Sequence, residues 1–254
     1  MRSSVLVTVA AFGALLILVG LGTWQLQRLQ WKEGLIARVE AGLRKPASPL
    51  REVAAASRSG DDVAYRPVIT RGRYEHDRAV RVYAVENGTA GWNVYTPLML
   101  AESGARVFVN RGFVPEAFGA VAPTLSEPDG LQQVVGVVRR PPSRTSVFTP
   151  ENEPEAGRFY WRDLTNMVAA RYDKTEANFL PLFVQAVPAS AVVGQAADAL
   201  ASPPPGGEGI WPRPASPRPD ISNRHLEYAI TWYSLALALV GVYAFFMFGR
   251  RRKT

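Results

Sequence analysis

Apolar residues are concentrated at the two ends of the chain, and the segment between them mixes apolar and polar positions. Residues 4–24 form a run without a charged side chain, and residues 229–248 form a second. About 20 residues of α-helix, at a rise of 1.5 Å each, cross a hydrocarbon core of roughly 30 Å. The pattern therefore predicts transmembrane helices at 4–24 and, with the polar turn that precedes the second run, at 225–248. Small residues that favour close helix packing occur in both: Gly13 and Gly20, then Ala236 and Gly241.

The first apolar run could instead be a cleaved signal peptide. It is longer than the apolar stretch of most signal peptides, and no A-x-A-like cleavage site follows it, so an uncleaved anchor is favoured. The basic tail 249–254 abuts the second run, and such clusters mark the cytoplasmic side. Two spans then place both termini in the cytoplasm and the middle of the chain outside. The lack of an Arg- and Ser-rich transit segment favours a bacterial inner membrane, with a periplasmic domain, over a mitochondrion.

Residues 25–188 are predicted to form an extracytoplasmic α+β domain. Helical periodicity continues from Trp24 to a stop near Gly42, and residues 46–62 are rich in Ala, Ser and Pro. A period of two then predicts strands, Asn87-Gly88 predicts a hairpin turn, and residues 163–171 have a short helical pattern. The strand segments are 63–74, 79–85, 91–100, 105–114, 131–139 and 179–187. This spacing indicates a largely antiparallel sheet or open barrel with a few helices, followed by a Pro- and Gly-rich strap at 189–222.

Composition and charge exclude several classes of function. The net charge is +7, but five basic residues lie at the extreme ends of the chain and the remainder nearly balances, so no nucleic-acid-binding face is indicated. The absence of cysteine excludes disulfides, thiolate metal sites and cysteine nucleophiles. No G-x-S-x-G elbow or Gly-rich phosphate loop is present, so a membrane-anchored hydrolase is the weakest hypothesis and no enzyme is predicted. His76, between Glu75 and Asp77, is interpreted as a polar loop tip.

His225 stands directly before the second apolar run. In a helix it shares one face with Tyr228, Ala229, Trp232 and Ala236, so the two aromatic rings lie on the apolar side of the imidazole. A neutral imidazole at an apolar–polar boundary is a natural axial ligand for haem iron, and the rings could pack on the macrocycle. The alternative is a histidine that caps the helix or contacts lipid headgroups.

Five segments, in order along the chain, carry a family resemblance. They are Gly22-Thr23-Trp24-Gln25-Leu26-Gln27-Arg28 with Trp31-Lys32; Tyr65-Arg66-Pro67-Val68 with Arg71-Gly72-Arg73-Tyr74; Gly91-Trp92 with Tyr95-Thr96-Pro97-Leu98; Val109-Asn110-Arg111-Gly112-Phe113-Val114-Pro115; and Asn223-Arg224-His225-Leu226-Glu227-Tyr228-Ala229-Ile230-Thr231-Trp232-Tyr233. Together they resemble the surfeit locus protein 1 family, the membrane-anchored assembly factors of haem–copper cytochrome c oxidase.

The resemblance implies an accessory protein that helps to place haem a into subunit I of the oxidase. It implies that His225 contacts the haem iron. Trp24, Gln25 and Arg28 match the family's first-span motif at the same membrane surface, so they could line the same pocket, beside Tyr228 and Trp232, or merely fix the exit of the helix. Gly72 and Gly112 match family glycines whose expected role is close packing or a positive φ. The alternative is a haem-independent scaffold that binds subunit I or haem a synthase through the spans and the sheet domain.

Overall fold

The computed structural model describes residues 2–116, 125–141, 148–173, 175, 178–187, 211–214 and 223–251. The chain divides into two compact units, Met1–Arg38 with Asp220–Thr254, and Val39–Pro219. The helices are α1 (Arg2–Leu43), α2 (Leu50–Arg58), α3 (Leu164–Ala169) and α4 (His225–Arg251), with a 3-10 turn at His76–Arg78. The strands are β1 (Ser48–Pro49), β2 (Pro67–Tyr74), β3 (Val80–Glu86), β4 (Thr89–Leu100), β5 (Arg106–Pro115), β6 (Gln132–Arg139), β7 (Arg158–Phe159) and β8 (Phe179–Ala186).

Both terminal helices have the length and composition of membrane spans. The candidate spans are Val5–Leu43 in α1 and His225–Phe248 in α4, with mean hydropathies of 2.6 and 1.8. Most of their apolar side chains are exposed, such as Leu6 at 70% and Leu237 at 74%, which is the pattern of helices surrounded by lipid. The helix predicted to continue beyond residue 24 is confirmed, because α1 runs without a break to Leu43.

The first unit pairs the N-terminal part of α1 with α4. Thr8 Oγ1 lies 2.8 Å from the Tyr243 hydroxyl, and Thr23 Oγ1 lies 3.0 Å from the Tyr233 hydroxyl. The buried Ala236 agrees with the predicted close packing. The same prediction is wrong for Gly13, Gly20 and Gly241, since a Cβ added to any of them would meet no atom within 4 Å. The spacing of the small residues predicts that they share one helical face. It does not predict how each helix is rotated, and the rotation decides which face meets the partner helix.

A barrel is the centre of the second unit. The described strands form an eight-stranded sheet in the order β1-β2-β6-β8-β5-β4-β3-β7, and an additional β2–β4 pairing closes the strands from β2 to β4 into a five-stranded barrel. The pairs β1–β2, β3–β7 and β5–β8 are parallel, and the other described pairs are antiparallel. The predicted α+β class with a largely antiparallel sheet or barrel is confirmed, with the barrel closed rather than open.

Barrel closure depends on Gly72. This residue pairs with Gln132 of β6 and with Leu100 of β4, so β2 changes partner there. A Cβ at this position would overlap the carbonyl oxygen of Met99. The close-packing role expected of Gly72 is therefore confirmed.

Alternate residues of the barrel strands enter different parts of the core. In β5, Val107 and Val109 belong to a cluster that also contains Leu50 and Val53 of α2, whereas Phe108 belongs to a cluster with Met167 of α3. This is the two-sided alternation of a strand that is covered on both faces. Helix α2 was not predicted, because it contributes few large apolar residues in an Ala- and Ser-rich segment.

The β3–β4 turn has the predicted hairpin geometry. Asn87 and Gly88 both have positive φ, 50° and 78°, which is the requirement of a type I′ turn. Of the predicted strap, the structure describes residues 211–214. Phe113 and Arg213 exchange two backbone hydrogen bonds of 2.7 and 3.0 Å, and Trp211 is buried. Gly112 has φ +133°, and a Cβ there would overlap the Arg213 carbonyl, so its expected role is also confirmed.

Candidate functional site

His225, the first residue of α4, is hydrogen-bonded to Gln25 of α1. Its Nδ1 atom lies 2.6 Å from Gln25 Oε1, and Gln25 is buried whereas His225 is half-buried. An amide oxygen can only accept, so the imidazole carries its proton on Nδ1 and donates it to Gln25. The lone pair of Nε2 then remains available to a ligand.

Small residues at the contact between α1 and α4 make this bond possible. Gly22, one helical turn before Gln25, lies against the ring of Tyr233; a Cβ there would come within 2.9 Å of the ring. On α4, Ala229 is 1% exposed. Gly22 was not singled out from sequence, although it lies inside a quoted motif, and Ala229 was named only as sharing the helical face of His225.

The other predicted site residues have different surroundings. Arg28 places its guanidinium 4.0 Å from the ring of Trp31 on its own helix. Trp24 and Tyr228 are 54% and 51% exposed, so their ring faces are open to lipid or an apolar ligand. Trp232 has a buried indole Nε1 without a hydrogen-bond partner among the described residues. Of these predicted residues, Gln25 is the one that the described structure hydrogen-bonds to His225.

The donor set fits a haem better than a bare metal ion. The described residues contain no group of three or more His, Asp or Glu side chains placed to hold a metal. Haem iron brings four ring nitrogens and needs only axial ligands, which a single oriented imidazole can supply. The unpartnered indole N–H of Trp232 adds a buried donor whose desolvation a bound acceptor would offset.

His76 lies in the turn after β2, as predicted, but its ring is held by distant residues. Its Nε2 atom lies 3.2 Å from the Pro128 carbonyl oxygen, and its Nδ1 atom lies 3.2 Å from Nη1 of Arg111. The predicted position in a polar turn is confirmed, whereas the contacts of the ring were not predicted, because the partners are remote in sequence and local patterns carry no sign of them.

Replacing Gly22 with leucine is expected to separate α1 from α4, because the new side chain overlaps the ring of Tyr233. The chain has no cysteine, so Thr8→Cys with Tyr243→Cys gives a specific pair for a short bis-maleimide cross-linker. Cross-linking should fall severalfold in Gly22→Leu. It should persist in Gly20→Leu, the matched control that faces open space. Equal cross-linking in both variants would contradict the packing described at Gly22.

Comparison with known proteins gives one consistent result. A family model described as the SURF1 family matches residues 12–237, a range that contains both Gln25 and His225. A SURF1-like protein of Monosiga brevicollis is 34% identical, over 89% of this chain and 82% of its own length. Surfeit locus protein 1 of Homo sapiens is 33% identical over 86% of this chain and 70% of its own length. The Mus musculus protein is 31% identical over 86% and 68%.

Proposed function

Since the chain belongs to the SURF1 family, known as a cytochrome c oxidase assembly factor, we propose that it binds haem a transiently through His225 and assists its insertion into subunit I of the oxidase. Membership of this family suggests a non-catalytic role. In this proposal the protein binds, orients and releases a cofactor that acts elsewhere.

The observation that carries the proposal is the hydrogen bond between His225 and Gln25. Metal-ligating histidines usually donate their second ring N–H to a fixed acceptor, which sets the tautomer and the orientation of the ring. Gln25 Oε1 is such an acceptor, at 2.6 Å from Nδ1. His225 would hold the haem through the free lone pair of Nε2, and the bound haem would supply the iron.

The remaining residues of the site suit a carrier. Trp24, Tyr228 and Trp232 supply aromatic surface for a macrocycle, and Arg28 supplies a cation for propionate carboxylates. A single axial bond favours release, which is part of the task of a carrier. The site lies where α4 begins, at the polar end of a candidate span, so the apolar tail of haem a would remain in lipid.

We further place the protein in a bacterial inner membrane, with both termini in the cytoplasm and the barrel domain in the periplasm. The support for this orientation is the basic cluster against the end of the second candidate span and the length of the chain between the spans. Subunit I of the oxidase is the partner that this role requires, and haem a synthase is the donor that would load the site.

The test is an absorption spectrum of the detergent-purified full chain, co-expressed with a haem a-producing pathway. Wild type should show a haem a band and His225→Ala should lose it, because the axial ligand is gone. His76→Ala is the matched control, since His76 is the other histidine of the chain. Gln25→Ala should keep the ligand and weaken haem affinity by about 10–100-fold, as expected when the partner of a ligating imidazole is removed.

A haem-independent scaffold is the second candidate, and the same hydrogen bond favours it in one respect. The Gln25–His225 bond joins α1 to α4 and would position the two helices for a partner subunit without any haem. A haem band of equal strength in wild type and His225→Ala would contradict ligation by His225. Absence of the band from folded wild type, together with retained co-purification of subunit I, would favour the scaffold.

A further inference from the structure

Arg111 is pushed out of strand β5 by a β-bulge. On β4, Tyr95 pairs with Asn110 and the adjacent Val94 pairs with Gly112, so Arg111 has no partner across the ladder. The buried Asn110 side chain stabilises the bulge by accepting the Gly112 N–H at 2.9 Å. Bulges of this kind redirect a side chain away from the regular alternation of the strand.

The redirected guanidinium rests among neutral groups. It lies 5.3 Å from the ring of Tyr74, and it donates to His76 Nδ1 and to the carbonyl oxygen of Ser126. In the part of the chain that the structure describes, no carboxylate forms an ion pair with it; the exposed Glu127 acts on it only at longer range. Burial lowers the pKa of Arg111, which reflects the cost of holding a cation in this position.

A cavity of about 220 Å³ lies beside Arg111 at one mouth of the barrel. Tyr74 ends β2, Gln132 begins β6 and Ala186 ends β8, so the cavity opens where these strands terminate. The lining comprises Tyr74, Arg111, Pro128, Gln132, Gln133, Val134, Val135, Ala186 and Val187. It is smaller than the roughly 300–1,000 Å³ of pockets that enclose a whole drug-sized ligand, so it suits a small molecule or the end of a larger one.

We propose that this barrel mouth binds a carboxylate that carries a small apolar body. The guanidinium fork has more N–H donors than its two hydrogen bonds to described residues use, and a carboxylate matches the planar fork in a bidentate manner. Burial raises the pKa of Tyr74 to about 12, so its hydroxyl keeps the proton and can donate to the same carboxylate. The ring of Tyr74 and the half-buried Ala186 provide a small apolar surface, because the valines of the lining are themselves almost fully buried. This proposal uses none of the residues assigned to the His225 site and does not depend on haem binding.

Isothermal titration of the detergent-purified full chain tests the proposal with 3-phenylpropionate and its neutral amide, 3-phenylpropanamide. Wild type should bind the acid at least about tenfold more tightly than the amide, because only the acid pairs with the guanidinium. Arg111→Gln should abolish this preference, and Tyr74→Phe, which keeps the ring, should weaken acid binding severalfold. Arg73→Gln, which changes an exposed arginine of β2 next to Tyr74 in sequence, should match wild type.

Thermal unfolding of each variant shows whether it is folded. This check is needed because Arg111 also donates hydrogen bonds to the Ser126 carbonyl oxygen and to His76. If Arg111→Gln does not fold, the Tyr74→Phe comparison of acid with amide stands in its place. The proposal is overturned if wild type binds neither compound, binds both equally, or if a folded Arg111→Gln keeps the preference. An N-acetyl dipeptide ending in a free phenylalanine carboxylate distinguishes the source: tighter binding than phenylpropionate assigns a chain terminus, and weaker binding assigns a small molecule.

Discussion

Replacing Gly112 with alanine is expected to destabilise the barrel domain by about 3 kcal/mol or more. The φ of +133° lies in a region that only glycine adopts readily, and forcing another residue into it costs about 1–3 kcal/mol. The added Cβ also overlaps the Arg213 carbonyl, so the segment 211–214 must move. Its two backbone hydrogen bonds to Phe113 and the burial of Trp211 are then lost. Chemical unfolding of the full chain in detergent measures the loss of stability.

Hydrogen exchange of backbone amides measures the loss of the contacts between residues 211–214 and β5, and it shows which residues are affected. The amides of Phe113 and Arg213 are bonded to each other's carbonyl groups, so both should exchange faster in Gly112→Ala. Gly104→Ala is the matched control, because its φ is +65° and an added Cβ meets no atom within 4 Å. That variant should lose only about 1 kcal/mol of stability, because alanine is strained at a left-handed φ. The amide exchange of residues 211–214 should be unchanged. Equal exchange in all three proteins would show that Gly112 does not hold the strap.

Local pattern was sufficient for most strands of the barrel domain. Segment 79–85 was predicted and β3 is Val80–Glu86; segment 131–139 was predicted and β6 is Gln132–Arg139. The alternation is readable there because Val80 and Val82 face a core cluster while Arg81 and Tyr83 are exposed. The hairpin at Asn87-Gly88 was predictable for a different reason, since few residue pairs accept positive φ at both positions.

Long-range pairing could not be predicted from the same patterns. Closure of the barrel requires β2 to pair with both β6 and β4, and the parallel β5–β8 pair joins strands separated by several other elements. Neither pairing has a local signal in the sequence. The alternation of apolar and polar residues predicts which face of the sheet a residue lies on, but not which strand lies beside it. Helix α2 was missed because only Leu50, Val53 and Ala54 of its residues are buried.

The candidate site was predicted in part. The predicted pair of spans, with both termini on one side, brings residue 25 and residue 225 to the same membrane surface, and the family resemblance singled out both. The direct bond between Gln25 and His225 depends on the rotation of each helix, which the contact of Gly22 with Tyr233 fixes. The bulge that redirects Arg111 was likewise invisible, because it requires knowledge of the β4–β5 register.

Replacing Glu75 with glutamine is expected to cost about 3 kcal/mol, as removal of one partner of a buried ion pair does. Glu75 accepts two hydrogen bonds from Arg106, at 2.9 and 3.1 Å, and one from the Tyr172 hydroxyl at 2.5 Å. The Glu75 and Arg106 side chains are only 19% and 16% exposed, so solvent replaces little of the lost attraction. Urea unfolding of the full chain at pH 7 gives the difference in free energy.

The control for charge alone is Asp77→Asn in the same turn. Its side chain is 81% exposed and lies 4.0 Å from Arg78, so the expected change is within about 0.5 kcal/mol. A loss in Asp77→Asn as large as in Glu75→Gln would contradict a specific role for the buried pair.

The pH dependence of the Glu75 effect follows from the direction of its pKa. Burial alone would raise the pKa of this carboxyl, but the hydrogen bonds from Arg106 and Tyr172 and the charges of Arg106 and Arg78 together hold it below its ordinary value. The stabilisation is therefore complete above the pKa of the unfolded chain, about 4.3, and is lost as the pH falls through the lower pKa of the folded protein. Wild type and Glu75→Gln should differ by a constant amount between about pH 6 and 8 and converge on acidification below about 4. A difference that grows as the pH falls would mean that the folded protein binds the Glu75 proton more tightly than the unfolded chain does, which the bidentate contact with Arg106 forbids.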